Sequence, residues 1–193
     1  KGEQANSQKF AGQLAKMGDC FVNEAISCSH RQHASIALLP AILPHFAGIN
    51  FQKEYDLLCR LKQNPARPVV FIIGGAKVES KARVVKKFLS KAEHVLLGGK
   101  VANAILAVKG VCLGQRMLPK NVYEELKSII LTTPNLRLPF DVKVSPKNAR
   151  EQYLRQAGPA NVRKGELILD IGTETAQAFS DIISEARTIF WAG

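Results

Sequence analysis

The sequence predicts an α/β protein: a mostly parallel sheet covered by helices on both faces, with part of a second α/β domain beside it. Two observations carry that prediction. From Val69 onward, short runs of β-branched and aromatic residues alternate with amphipathic helical stretches, the pattern of repeated βα units. Glycines recur at the predicted strand ends, at Gly74-Gly75, Gly98-Gly99, Gly172 and Gly193, which is where such sheets hold ligands. Helices on both faces make the expected fold a three-layer α/β/α arrangement, Rossmann-like in its parallel sheet.

The elements follow in chain order. Asn6–Met17 spaces Phe10, Leu14 and Met17 for one face of a helix. Asp19–Val22 predicts a short strand that ends at Asn23-Glu24. Residues Ile26–Ile49 contain the breakers Pro40 and Pro44 and are expected to be irregular. Phe51–Gln63 predicts a helix with Phe51, Tyr55, Leu58 and Leu61 on one side. Asn64-Pro65-Ala66-Arg67-Pro68 ends that helix, because a residue before proline is driven towards extended backbone. The domain boundary is therefore expected there: residues 1–50 end one domain, 51–65 connect, and 66–193 form the second. A first residue that is not Met and a final strand-like run, Ile189-Phe190-Trp191-Ala192-Gly193, suggest a fragment truncated at both ends.

In the second domain, Val69–Ile73 reads as a buried strand, followed by a helix with Val78, Ala82, Val85 and Leu89 inward. His94–Leu97 is the next strand, and its helix turns Val101, Ile105 and Val108 inward. Asn121–Leu131 predicts a helix presenting Val122, Leu126, Ile129 and Ile130. Strands follow at Leu138–Val144 and Leu167–Ile171, then a helix with Ala176, Phe179 and Ile183 inward, then a strand at Thr188–Trp191.

Composition narrows the function classes. The chain has 193 residues, 46% of them hydrophobic, enough for a real core. Its net charge is +11, which suits a nucleic-acid partner or an enzyme with anionic substrates. The basic residues are scattered and the aromatic residues fall at core-like positions, so nucleic-acid binding is the weaker reading. Cys20, Cys28, Cys59 and Cys112 lie far apart with no C-x-x-C, as expected of reduced thiols in a cytoplasmic protein. No apolar run nears the ~20 residues of a membrane span, and no membrane partner is expected. Cys28, His30 and His33 lack a fourth ligand and fit no common zinc spacing, so no metal site is predicted.

The chemistry concentrates at Gly74-Gly75-Ala76-Lys77 and Lys81. Glycines allow a tight turn and a close ligand, and the free N–H groups of a helix start attract anions. Lys77 and Lys81 are four apart and should share a helix face. Like charges so placed at the positive end of a helix are mildly unfavourable unless an anion is present. Strand, glycine turn, helix start and two lysines describe a phosphate cradle. No G-x-x-x-x-G-K-[ST] or G-x-G-x-x-G motif is present.

Phe71-Ile72-Ile73-Gly74-Gly75-Ala76-Lys77-Val78 with Lys81 resembles the signature that opens the C-terminal domain of the phosphoglycerate kinase family. Val22-Asn23-Glu24-Ala25 and Ser29-His30-Arg31-Gln32-His33-Ala34-Ser35 resemble that family's H-R-x-H region. Leu97-Gly98-Gly99-Lys100-Val101-Ala102-Asn103 resembles its glycine triplet, and Leu169-Asp170-Ile171-Gly172 and Phe190-Trp191-Ala192-Gly193 resemble its D-I-G and W-N-G turns. The resemblance spans essentially the whole chain. It implies reversible phosphoryl transfer in glycolysis between 1,3-bisphosphoglycerate and ADP, giving 3-phosphoglycerate and ATP. The nucleotide would enter as its Mg²⁺ complex, in a cytoplasmic monomer whose domains close about the connecting helix.

On the same resemblance, Arg31 would hold the acid substrate and act with Lys77, which would stabilise the migrating phosphoryl group. Lys81 would grip the nucleotide phosphates. Gly75, Ala76, Gly98, Gly99, Gly172 and Gly193 would line the nucleotide site. His30 and His33 would support Arg31, and Asp141 and Asp170 read as helix caps or loop anchors. Ser80, Lys100 and Ala192 depart from the family pattern, at an acidic position, the third glycine and the asparagine of the W-N-G turn. The family's earlier acid-binding segments and its later Mg-linked aspartate would fall outside this chain, so the fragment alone is expected to bind nucleotide at most weakly and to be inactive. A catalytically silent nucleotide-binding or scaffold protein of the same fold is the alternative.

Overall fold

The structure, a computed structural model, describes residues 1–111, 118–130, 133–146 and 153–193. Cys112 and Leu131, both named above, lie outside the described residues. The chain divides into two compact units, Lys1–Pro65 and Ala66–Gly193.

The first unit holds helix α1 (Gln8–Ala15), strand β1 (Phe21–Asn23), the short helix α2 (Leu39–Ile42), strand β2 (His45–Ala47) and helix α3 (Ile49–Gln63). Ser7 caps α1 by accepting from the Phe10 N–H at 3.4 Å. β1 and β2 pair in parallel, Phe21 opposite His45. The stretch expected to be irregular thus contains a strand and a helix, and Pro40 sits in the first turn of α2, where a missing N–H costs nothing. Ala11, Ala34 and Leu39 are this unit's buried apolar residues. No residue of α3 is buried, although Phe51 and Tyr55 stack with ring centroids 6.4 Å apart.

The second unit is built on a four-stranded parallel sheet in the order β5–β4–β3–β9. Its strands are β3 (Val69–Ile73), β4 (His94–Leu97), β5 (Leu136–Arg137) and β9 (Thr188–Ala192). Alternate side chains of β3 serve opposite faces, as strand geometry requires. Val69, Phe71 and Ile73 join Val95 and Leu97 under helices α4 (Val78–Leu89), α5 (Gly99–Val108) and α6 (Lys120–Ile130). Val70 and Leu96 face the other way, against Phe179, Ile182 and Ile183 of α7 (Thr173–Ser184). The three-layer α/β/α expectation holds. Each fully buried side chain such as Ile73, Leu97 or Leu126 contributes about 1.5–3 kcal/mol.

Phe71 lies between two rings on its face of the sheet. Phe88 stacks on it at 3.9 Å, and Phe190, its direct partner on β9, at 4.5 Å. α5 is buried along Val101–Leu106, more completely than its predicted stripe, because it packs against α4, α6 and the strand Glu166–Ile171. Glu93 fixes the start of β3: its carboxylate accepts from the Val69 N–H at 2.6 Å and from Arg67. The Val69 bond, more than the Arg67 ion pair, holds that carboxyl below its ordinary range.

Two strands expected in the parallel sheet lie elsewhere. Of the run read as Leu138–Val144, only the end is strand: β5 stops before it at Arg137, Leu138–Asp141 form a loop that contains Pro139, and β6 runs from Val142 to Pro146. β6 pairs antiparallel with β7 (Arg155–Ala157) and β8 (Glu166–Ile171), forming a separate three-stranded sheet. Parallel neighbours need a crossover of a dozen or more residues, and the links from β6 to β7 (147–154) and from β7 to β8 (158–165) are shorter than that. Ala176 of α7, expected inward, is exposed; Thr175 takes the buried position.

Asp141, at the entry to β6, caps α7 from outside. Its carboxylate accepts from the Thr175 N–H at 2.7 Å, the Glu174 N–H at 3.1 Å and the Thr175 hydroxyl. Burial pushes this carboxyl up, but the bonds from Thr175 and Glu174 outweigh it and hold the group below its ordinary value. A lowered folded-state value stabilises the fold above the unfolded aspartate range, and that contribution is lost as pH falls through the folded value.

Asp141→Ala should therefore lower stability by about 1–2 kcal/mol at neutral pH. Urea unfolding of both chains should show the gap closing in acid; equal midpoints at neutral pH would remove the capping role. Phe71→Ala should cost more, about 3–5 kcal/mol, since it empties the middle of a ring stack. A loss below about 1 kcal/mol by the same measurement would show that the stack relaxes to fill the gap.

Candidate functional site

Strands β3, β4 and β9 are neighbours, so their carboxyl ends form one rim carrying Gly74-Gly75, Gly98-Gly99 and Gly193. Gly172 does not share that rim by strand order: it follows β8 of the antiparallel sheet. Its N–H donates to the Asp141 carbonyl at 2.8 Å, and a Cβ there would lie 2.0 Å from the Asp141 carboxylate. The second sheet still reaches the rim, since a Cβ on Gly98 would meet the Ile171 side chain at 3.9 Å.

The backbones of the β3–α4 and β4–α5 turns touch. Gly99 has φ +58°, and a Cβ on it would lie 3.2 Å from the Gly75 nitrogen. A side chain at Gly99 is thus opposed both by its backbone conformation and by the facing turn. The Gly98 N–H donates to the Ile73 carbonyl at 3.0 Å and carries the ladder to the last residue before the turn.

Lys77 is the N-cap of α4, with φ −88° and ψ 79°, so it precedes the helix instead of sharing a helical face with Lys81. It is exposed and makes no ion pair among the described residues. The Lys81 ammonium reaches across the rim and donates to the Ala192 carbonyl at 2.9 Å. That carbonyl also accepts the Gly74 N–H at 3.1 Å. An ammonium has three protons, so Lys81 keeps donor capacity for an anion. No side chain of their own N-cap residues caps α4, α5 or α7, but Asp141 fills the α7 terminus. The α4 and α5 starts are therefore the ones open to an outside anion.

Beside the rim runs a cleft of about 740 Å³. Gly75, Ala76 and Val78 form one wall, the first turns of α5 another, and Leu118 and Leu167–Leu169 complete it. Among the described residues Lys100 is the single charged one in its lining, and Asn103 brings the other polar side chain. Of the expected site residues, Gly75, Ala76 and Gly99 line this cleft, while Gly98, Lys77, Lys81 and Gly193 stand at the adjoining rim. The sequence reading missed Asn103 and the β8 wall; the helical spacing of Asn103 from Lys100 was the available signal for the first.

Arg31 lies in the first unit and is exposed. Its loop is held by Asn23, whose amide donates to the Ser29 hydroxyl at 3.1 Å and accepts from the Ala25 N–H at 3.0 Å. His33 sits 3.7 Å from the Glu3 carboxylate instead of bonding Arg31. The Ser35 hydroxyl is the main cause holding the Glu3 carboxyl below its usual range. Among the described residues no cluster of His, Cys, Asp or Glu is arranged to hold a metal ion. Among the described residues the cleft lining has no carboxylate.

Comparison with known proteins agrees with this geometry. The family model described as phosphoglycerate kinase matches residues 1–193. The phosphoglycerate kinase of Bartonella tribocorum is 37% identical over 100% of this chain and 49% of its own length. That of Zymomonas mobilis is 34% identical, over 100% of this chain and 49% of its own. The solved structure of phosphoglycerate kinase from Coxiella burnetii matches at TM-score 0.76 and 28% identity, covering 99% of this chain and 50% of that one. The enzyme from Pyrococcus horikoshii matches at TM-score 0.75 and 29% identity, covering 93% and 47%. The chain thus spans about half the length of the relatives it matches. With a family match over every residue and the glycine–lysine rim that first suggested it, this chain belongs to the phosphoglycerate kinase family.

Proposed function

We propose that the protein takes part in reversible phosphoryl transfer between 1,3-bisphosphoglycerate and a nucleoside diphosphate, ADP by family likeness, giving 3-phosphoglycerate and the triphosphate in glycolysis. The single observation that carries this reading is the rim itself. Two lysines and two open helix starts converge beside an apolar cleft that suits a nucleoside. In this reading Gly75, Ala76, Gly98, Gly99, Gly172 and Gly193 surround the nucleotide, and Lys81 binds its phosphates. Lys77, exposed at the α4 cap, stabilises the migrating phosphoryl group. Arg31, with a planar fork of donors, holds the acid substrate.

Phosphoryl transfer needs positioning and charge neutralisation more than covalent help, which lysines, an arginine and free amides supply. Mg²⁺ enters here as part of the nucleotide substrate, bound through phosphate oxygens, which fits a cleft with no carboxylate among its described lining residues. The domain roles follow: residues 1–50 serve the acid substrate, 51–65 connect, and 66–193 serve the nucleotide. The expected setting is the cytoplasm, as a monomer.

Calorimetric titration of the 193-residue chain should show ADP binding, while a coupled assay of the same sample shows little turnover. Robust turnover by this chain would overturn the division of labour proposed for it. Lys77→Glu combined with Lys81→Glu should abolish ADP binding with the thermal melt largely retained. Unchanged affinity would place the phosphates elsewhere.

A further inference from the structure

Asn103 is nine-tenths buried, lines the cleft and makes no side-chain hydrogen bond among the described residues. Among the described residues the side-chain polar atoms that are both buried and without a partner are Asn6 Oδ1 and His94 Nδ1, so the Asn103 amide is not sealed off and can bond a ligand from the cleft. Lys100 lies one turn earlier on α5, exposed, lining the same cleft and without an ion pair among the described residues. Residues three apart on a helix share a face. A cation at the positive end of a helix is unfavourable by itself, which adds to the case for an acceptor on the ligand.

The remainder of the lining among the described residues is backbone and aliphatic side chain, fit for the flat faces of a base. The polar pair is then left for the base edge. A lysine brings donors only, whereas the asparagine amide both donates and accepts. Guanine offers two adjacent acceptors, N7 and O6; adenine replaces the second with an amine, which is a donor.

We propose that Lys100 and Asn103 read the edge of the base, and that Lys100 biases the cleft towards guanine over adenine nucleotides. The inference rests on the nucleotide reading above and adds base specificity to it. Both residues position substrate and take no part in the transfer step.

Isothermal titration of the 193-residue chain with GDP and with ADP tests this, with Lys100→Met and Asn103→Leu as variants whose folding is checked by thermal melts. The native chain should bind GDP about tenfold more tightly than ADP, the size of one charge-assisted hydrogen bond. Lys100→Met should bring the two affinities together by weakening GDP alone, and Asn103→Leu should weaken both. Binding of ADP as tight as that of GDP, or a ratio unchanged in Lys100→Met, overturns the inference and leaves the nucleotide reading standing. Binding of neither nucleotide overturns both. Should Asn103→Leu fail to fold, the Lys100→Met ratio decides alone.

Discussion

Everything at the rim depends on the meeting of two peptide backbones. Where β3 and β4 leave the sheet, Gly99 comes so close to Gly75 that a Cβ would stand 3.2 Å from its nitrogen. That approach sets the direction of both following helices. It places the start of α4, with Lys77 and Lys81, next to the start of α5, with Lys100. The Ala192 carbonyl adds a third strand to the junction by accepting from Gly74 and Lys81 together. Three strand ends and two helix starts are thus coupled through backbone groups. Side chains at the rim are free to serve a ligand because few of them are needed to hold it together.

The helix termini divide by whether an anion is already present. Asp141 brings a carboxylate to α7 and satisfies two of its amides, so that end is saturated by the protein. The starts of α4 and α5 have no side-chain cap of this kind; α4 carries Lys77 and Lys81 with Glu79 in its first turn, and α5 carries Lys100. The three helix starts of one domain thus differ: one is filled by the protein itself, and two are left open.

Much of this was legible in the sequence, and the failures have physical causes. β3 and β4 were read at their observed limits because fully buried parallel strands show unbroken apolar runs with sharp glycine ends. The direction of the second sheet is not legible because strand patterns carry no sign of direction; only the short links between β6, β7 and β8 point to antiparallel pairing. Lys77 was read as a helical neighbour of Lys81 because i, i+4 spacing does not reveal where a helix begins. The capping role suggested for Asp141 was readable in kind, but its distance of over thirty residues from α7 was not. Asn103 was overlooked because a single amide inside an apolar helix looks like packing until the cleft beside it is seen.

Arg31 is held by different physics from the lysines of the rim. The first unit buries little apolar surface, chiefly through Ala11, Ala34 and Leu39, so its loops are not fixed by a deep core. Short polar links do that work: Asn23 spans Ser29 and Ala25, and Glu3 gathers the Ser35 hydroxyl and N–H beside His33. The Glu3 carboxyl, held below its usual range by Ser35, stays ionised to lower pH than a free glutamate. Its stabilising bonds persist above the ordinary glutamate range and fade as pH falls through the lowered value. The rim of the second unit is therefore positioned by a close-packed sheet, and the arginine by a hydrogen-bonded surface loop. A loop of this kind also leaves the guanidinium exposed, with its donors available to a carboxylate or phosphate.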